Sequence, residues 1–223
     1  MLAESLGIRP GVTAVIGGGG KTTLLRVLGE ELSRAGTPVI LATTTKFLPF
    51  PGIETVSGGE RELAEALSRQ SLVCAASPWG AGGKLTASRV PVGTLAALAA
   101  YVLVEADGSA GLPMKAHAPH EPVIPPESGR TILMVGASGF GKPVRAAAHR
   151  PGLYAQLAGC GADEPVTPEI AARVILAESL GDEIIVNQSE TPEARENARR
   201  LAENLPLPVF AGSLRRGEIV CVS

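Results

Sequence analysis

The chain is poor in the features that mark several classes of protein. Only three of its 223 residues are cysteine, and Cys74, Cys160 and Cys221 form no CxxC pair. Neither a zinc site built on paired thiols nor a disulfide framework is expected, and buried or idle thiols are the plain reading. Aromatic residues make up 3% of the chain, the net charge is −2 and the sequence pI is near 6.0. A nucleic-acid surface needs a basic stripe and usually stacking rings, so no nucleic-acid partner is expected. The longest apolar run, Leu95 to Val104, is too short to cross a bilayer. The opening residues, MLAESLGIRPG, have no basic segment followed by an apolar core. These absences give no membrane partner and a cytoplasmic location as expectations.

What is present is apolar content of 45%, enough to bury one α/β core. Apolar runs bounded by turn residues alternate with amphipathic segments, the pattern of a parallel sheet covered by helices. Strands are expected at 12–16, 38–42, 101–105, 131–135, 183–186 and 209–211, with a weaker one at 72–76. Helices fit 22–34, 60–69, 168–178 and 192–204, the last two opened by Thr-Pro pairs that supply a cap and a first turn. The expected fold is α/β, P-loop NTPase-like with three layers and a mostly parallel sheet. A single domain over 1–223 is expected, with long surface loops at 77–91 and 113–130 that are rich in Gly and Pro.

The segment Ala14 to Thr23, AVIGGGGKTT, carries the clearest chemistry. An apolar strand runs into Gly17, Gly18, Gly19 and Gly20, then Lys21, Thr22 and Thr23. Successive glycines let backbone N–H groups turn toward an anion, and the helix that follows presents its positive end to the same charge. Lys21 then reaches the β/γ-phosphates of a nucleoside triphosphate and Thr22 offers its hydroxyl to Mg²⁺. The full GxxxxGK[ST] pattern fails because its first glycine would fall on Val15. The shorter GxxGKT form fits, and is similar to the loop of the Mur-ligase group of P-loop proteins. A second segment, Gly136 to Lys142, GASGFGK, does satisfy GxxxxGK, but Pro143 follows. Proline supplies neither a hydroxyl nor an N–H there, so a mobile loop is expected, with a lid or substrate loop carrying Lys142 as the functional alternative.

The strand Tyr101 to Val104 ends in Glu105, Ala106, Asp107, Gly108. Ligands of open α/β sheets sit at this edge, and an acidic residue there holds the P-loop metal. Strand alternation points Glu105 and Asp107 to one side, so both are candidates for Mg²⁺ or its water. Glu105 and Gly108 resemble the ExxG or DxxG element of metallochaperone and signal-recognition GTPases, in which the glycine N–H faces the γ-phosphate. Ala42 to Lys46, ATTTK, ends the second strand, and Thr44 with its neighbours and Lys46 are candidates to orient the γ-phosphate or attacking water; β-branched residues also simply suit a strand end. Late in the chain, Asn187, Gln188, Ser189, Glu190 and then Ala211, Gly212, Ser213 resemble the NKxD and SA-type elements that read the guanine base. Gln188 stands for the Lys and Glu190 for the Asp, which leans toward GTP while leaving ATP open. The plain alternative is a polar turn capping the next helix.

Together GGGGKTT, ATTTK, VEADGSAGLPMKAHAPHEPVIP, the GKPV segment followed by His149 and Arg150, and the late VNQ and AGSL segments resemble the YqeC family over nearly the whole chain. The most specific part is Val104 to Pro125. The resemblance implies an accessory factor in maturing selenium-dependent molybdenum hydroxylases, with the hydroxylase or its cofactor-maturation proteins as partners. Catalytic candidates are Lys21, Glu105, Asp107 and Thr44; nucleotide contacts fall to Gly17 to Thr23, Gly108, Asn187 and Glu190; Thr22 and Glu105 hold Mg²⁺. In the specific segment His117 and His120 read as surface polar groups. Lys115 and Glu121 are candidates for a second substrate or partner, with His149 and Arg150 supplying a cation to it. The competing functions are a small-molecule kinase or ligase with an acceptor held by residues 113–130, and a non-catalytic nucleotide-sensing scaffold.

Overall fold

The computed structural model describes residues 1–223. It is α/β, with mostly parallel strands and helices between them, as the sequence pattern requires. By contacts the chain forms two compact units. One comprises residues 1–15, 22–108 and 123–130, and the other residues 16–21, 109–122 and 131–223.

The first unit holds α1 (Leu2–Ser5), β1 (Gly11–Gly17, which runs on into the second unit), α2 (Lys21–Ser33, from Thr22), β2 (Val39–Thr43), β3 (Thr55–Val56), α3 (Glu60–Arg69), β4 (Leu72–Trp79), β5 (Lys84–Ala87), α4 (Val92–Leu98) and β6 (Tyr101–Glu105). Its strands run β1-β6-β2-β4-β3, all parallel, with β5 antiparallel on β4. Strands buried on both faces read as continuous apolar runs, and β2 and β6 are of that kind. Ile40, Ala42, Val73, Ala75, Val102 and Val104 pack with Leu63 and Ala66 of α3 and Leu95 of α4. Gly29 lies in the middle of α2, where a Cβ would come within 2.9 Å of Leu41 Cδ2 and 3.0 Å of Leu72 Cδ1; the helix therefore sits close on the sheet.

The second unit holds β7 (Met114–Lys115), β8 (Ser128–Gly136, from Thr131), α5 (Val144–Ala147), β9 (Ala148–His149), α6 (Pro151–Ala158), α7 (Pro168–Glu178), β10 (Glu183–Asn187), α8 (Pro192–Glu203), β11 (Val209–Ser213) and β12 (Glu218–Cys221). Here β8, β10 and β11 are parallel neighbours, β12 is antiparallel on β11, and β7 pairs with β9 apart from them. The Thr-Pro starts of α7 and α8 form as expected: Thr167 and Thr191 accept from the N–H groups of Ile170 and Ala194, with proline in the first turn.

Two expected loops are more ordered than their composition suggests. Residues 77–91 include the end of β4 and all of β5, a hairpin whose turn is Gly80–Gly83. Residues 113–130 include β7 and the start of β8. The segment 136–142 is not a bare mobile loop either. Ala137–Gly139 is a 3₁₀ turn, Gly141 N–H donates to Val166 O, and Val166 N–H donates to Lys142 O. Of the cysteines, Cys74 is buried and its thiol is pushed up to about 12 by that burial, Cys160 is half-buried and Cys221 is exposed. No helix is long and apolar enough to cross a membrane.

Candidate functional site

The glycine run sits where β1 ends and α2 begins, and its neighbours explain why no side chain is tolerated. At Gly17 (φ +92°) a Cβ would lie 2.4 Å from Met134 O. At Gly18 it would meet Leu112 O at 2.6 Å, at Gly19 (φ +80°) Gly136 Cα at 2.3 Å, and at Gly20 (φ +136°) Asn187 Nδ2 at 2.5 Å. Contacts under 3.0 Å with backbone cannot be relieved by a rotamer change, so Gly17, Gly18 and Gly19 are a packing requirement at this turn, while Gly20 is required by its positive φ. Gly18 N–H donates to Met134 O at 2.9 Å and Gly19 N–H to Leu112 O at 3.2 Å. Those two amides therefore hold the loop to its surroundings instead of facing an anion. The first N–H groups of α2, which starts at Lys21, have no intrahelical partner.

Lys21 is buried and folded back over its own loop, with Nζ 2.6 Å from Gly17 O and 3.3 Å from Ser109 Oγ. Asn187, at the end of β10, braces the same turn: Nδ2 donates to Gly19 O at 2.8 Å and Oδ1 accepts from Leu214 N–H at 3.0 Å. Ser109 and this role of Asn187 were not legible in the sequence. Ser109 does follow directly on the expected Glu105–Gly108 element, and that adjacency was the available signal.

The next residue along the chain, Thr22, is exposed, and its Oγ1 donates to Glu105 Oε2 at 2.8 Å. This joins the hydroxyl after the lysine to the carboxylate ending β6. Asp107 lies just beyond and is fully buried, and Gly108 is half-buried. The threonines after β2 are organised around this strand end. Thr43 Oγ1 donates to Glu105 O at 2.9 Å and caps Thr45 N–H at 3.0 Å; Thr44 N–H donates to Glu105 O at 3.1 Å and its Oγ1 to Val123 O at 2.8 Å. Lys46 turns away and stacks on Trp79, its Nζ 4.0 Å from the ring centre. Thr23 occupies the first turn of α2, half-buried.

The late polar motif divides in two. Asn187 serves the glycine loop, while Glu190 is exposed and takes a hydrogen bond from the Ser213 hydroxyl, which, with Arg216 and Arg215 adding less, holds its carboxyl below the usual range. Glu190, Ser213, Ser189, Arg195 and Gly212 line a groove of about 230 Å³. Gln188 adopts a left-handed backbone (φ +66°), and its Oε1 accepts from Ser138 Oγ at 2.6 Å. The region is thus more than a helix cap, since Thr191 fills that role for α8.

Of the remaining candidates, Lys115, Glu121 and Arg150 do come together. Lys115 Nζ donates to Glu121 Oε2 at 2.9 Å and Arg150 Nε to Glu121 Oε1 at 2.7 Å. His149 lies opposite Lys115 in the β7–β9 pair. The expectation of a surface His117 is corrected: its side chain is 1% exposed, with Nδ1 2.8 Å from Glu178 Oε2 and its backbone N–H on Glu178 Oε1 at 2.5 Å. Glu178 comes from α7, 61 residues on, and nothing local in the Pro-rich segment announces it. His120 is exposed as expected.

The fold is α/β, with the glycine turn and Lys21 in the second unit and the Thr22–Glu105 pair in the first. Residues 13–152 match the family model of the YqeC protein. The uncharacterized protein YqeC of Escherichia coli (strain K12) is 34% identical over 165 residues, which cover 70% of this chain and 63% of that protein. The chain belongs to the YqeC family, and it spans less than two thirds of the length of that relative.

Proposed function

We propose that the chain binds a nucleoside triphosphate at Gly17–Thr23 and hydrolyses it with Mg²⁺. The observation that carries this reading is the Thr22–Glu105 hydrogen bond of 2.8 Å, one residue after a lysine folded over a four-glycine turn. A hydroxyl and a carboxylate are hard oxygen donors, the kind that Mg²⁺ takes while keeping waters and substrate phosphates for its other positions. No group of three or more His, Cys, Asp or Glu is placed to hold a metal on its own, so such an ion would depend on the nucleotide for the rest of its ligands.

Thr22 and Glu105 would hold the ion, whose chemistry is to neutralise charge growing on the phosphate oxygens. Lys21 exchanges Gly17 O for the β/γ-phosphates, a short swing because its nitrogen already lies over the turn. The N-terminus of α2 adds a fixed positive end to the same charge. Asp107 and Thr44, with Gly108, orient the attacking water and γ-phosphate, and Thr44 is set for this by its tie to Glu105 O. Glu190 and Ser213 receive the base, GTP being preferred because a carboxylate accepts from guanine N–H groups that adenine lacks. The proposal extends to an accessory role in maturing selenium-dependent molybdenum hydroxylases, the role that the motif resemblance implies, with the hydroxylase or its cofactor-maturation proteins as partners and the cytoplasm as the site of action.

The test is a thermal-shift panel of ATP, GTP and CTP with Mg²⁺, joined to a phosphate-release assay on Glu105→Gln. A nucleotide at about 100 times its Kd adds about 2.7 kcal/mol of stability. Glu105→Gln should keep that shift and lose at least about tenfold in hydrolysis, or 1.4 kcal/mol of barrier. No stabilisation by any triphosphate ends the proposal.

A further inference from the structure

All three histidines of the chain, His117, His120 and His149, lie in one part of the second unit with Lys115, Glu121, Arg150 and Glu178. The ion pairs there are layered by depth. Lys115 is 0% exposed at its side chain, Glu121 11% and Arg150 33%. Both oxygens of Glu121 are occupied, one by each cation. Burial alone would raise this carboxyl, but the hydrogen bonds from Arg150 and Lys115 outweigh it and hold the group below its ordinary value. Of the two cations on the Glu121 carboxylate, Arg150 is the more accessible, and its guanidinium is the end that reaches solvent. There Nη2 lies 3.3 Å from His120 Nε2, while Nη1 makes no hydrogen bond.

Such a knot is a poor way to gain stability, because apolar groups of the same volume serve a core as well without desolvating charge. The backbone adds a second cost. Arg150 sits in the left-handed region (φ +63°, ψ +60°), where an arginine is strained and a glycine would not be. Strain and buried charge together aim one guanidinium, gripped at Nε so that its plane is fixed, toward the exposed imidazole of His120. The positive end of α6 begins at the next residue and adds to the field.

We propose that Arg150 and His120 form a binding site for a phosphoryl-type oxyanion, with Glu121 and Lys115 as positioning residues behind them. The guanidinium edge and the imidazole beside it border one anion-sized place from two sides, which suits the several oxygens of a phosphoryl group, where a carboxylate satisfies the guanidinium alone. The site stands on its own residues and does not depend on nucleotide binding at the glycine turn. Its placement relates the two all the same: the segment that begins at Ser109, in contact with Lys21, ends at Glu121, and Lys115 and Gly17 line one pocket of about 20 Å³. A phosphorylated second substrate is the class of ligand this arrangement accepts.

Three histidines give three Cε1–H signals in a ¹H–¹³C correlation spectrum, assigned by single substitutions. Inorganic phosphate is titrated into the full chain and into Lys21→Ala, which removes the lysine of the glycine turn. In both, the His120 signal should move saturably, and acetate at equal ionic strength should not move it in that way. Arg150→Gln should weaken the phosphate response at least tenfold while the His117 and His149 signals stay dispersed, which shows that the fold persists; should Arg150→Gln unfold, His120→Ala followed by calorimetry gives the same comparison. An unmoved His120, an equal response in Arg150→Gln, or an equal response to acetate overturns the proposal. If nucleotides fail to stabilise the wild type while phosphate still shifts His120, the glycine-turn reading falls and this one stands.

Discussion

Asn187 is tied to Gly19 across 168 residues of sequence: its side-chain amide donates to the Gly19 carbonyl at 2.8 Å while its oxygen accepts from Leu214 N–H. One side chain thus holds the glycine turn to the exit of β11. Asn187→Ala removes both bonds and leaves Leu214 N–H, a buried donor, without its acceptor. The expected loss is about 1 to 3 kcal/mol in urea unfolding. Triphosphate affinity should fall with it, because Gly20 loses the wall that shapes it. Unchanged stability and unchanged affinity would show that the amide bond contributes nothing to the turn.

Glu121 makes a prediction about pH. Its folded-state carboxyl lies below the ordinary value of 4.5 through its two cation partners, against the opposing effect of burial. A group lowered on folding contributes stability that is present above about 4.5 and lost as pH falls through the lower folded value. Glu121→Gln cannot titrate, so its stability curve should fall less steeply on the acid side below that point. Parallel curves for wild type and variant from pH 7 to pH 3 would show that this pair does not link folding to protons.

The proposed base site at Glu190 can be tested by nucleotide preference. Its carboxylate, held ionised by the Ser213 hydroxyl and lining the adjoining groove, should make GTP bind better than ATP by about 1 to 3 kcal/mol. Glu190→Ala should shrink that preference and leave phosphate contacts alone. Competition binding decides it, and equal or tighter binding of ATP by the wild type places the base elsewhere.

Much of this frame is legible in the sequence. β6, α3 and α7 begin and end where pattern and punctuation put them, because Thr-Pro, Gly-Gly and a carboxylate mark their ends. Thr22 and Glu105, both singled out in the sequence, meet in a hydrogen bond, since a strand end and a helix start are fixed by short-range rules. Elements of two to four residues such as β3, β5, β7 and β12 are not legible, because their strand geometry comes from a neighbour and not from their own periodicity. α4 and α6 lack a polar cap and so give no start signal. The burial of Lys115 and His117 is invisible for the same reason. Their partners Glu121 and Glu178 meet them only through the fold, and a Pro-rich segment carries no pattern that separates inside from outside.

The two lysines that follow glycines have different surroundings. Lys21 is buried over the glycine turn, whereas Lys142 is exposed beyond a 3₁₀ turn and is followed by Pro143. Titration of a fluorescent triphosphate with Mg²⁺ into wild type, Lys21→Ala and Lys142→Ala measures this difference directly. Binding should be abolished in Lys21→Ala and lie within about twofold of wild type in Lys142→Ala, a change of less than about 0.5 kcal/mol. Full binding by Lys21→Ala, or loss confined to Lys142→Ala, would contradict the assignment of the nucleotide to the Gly17–Thr23 turn.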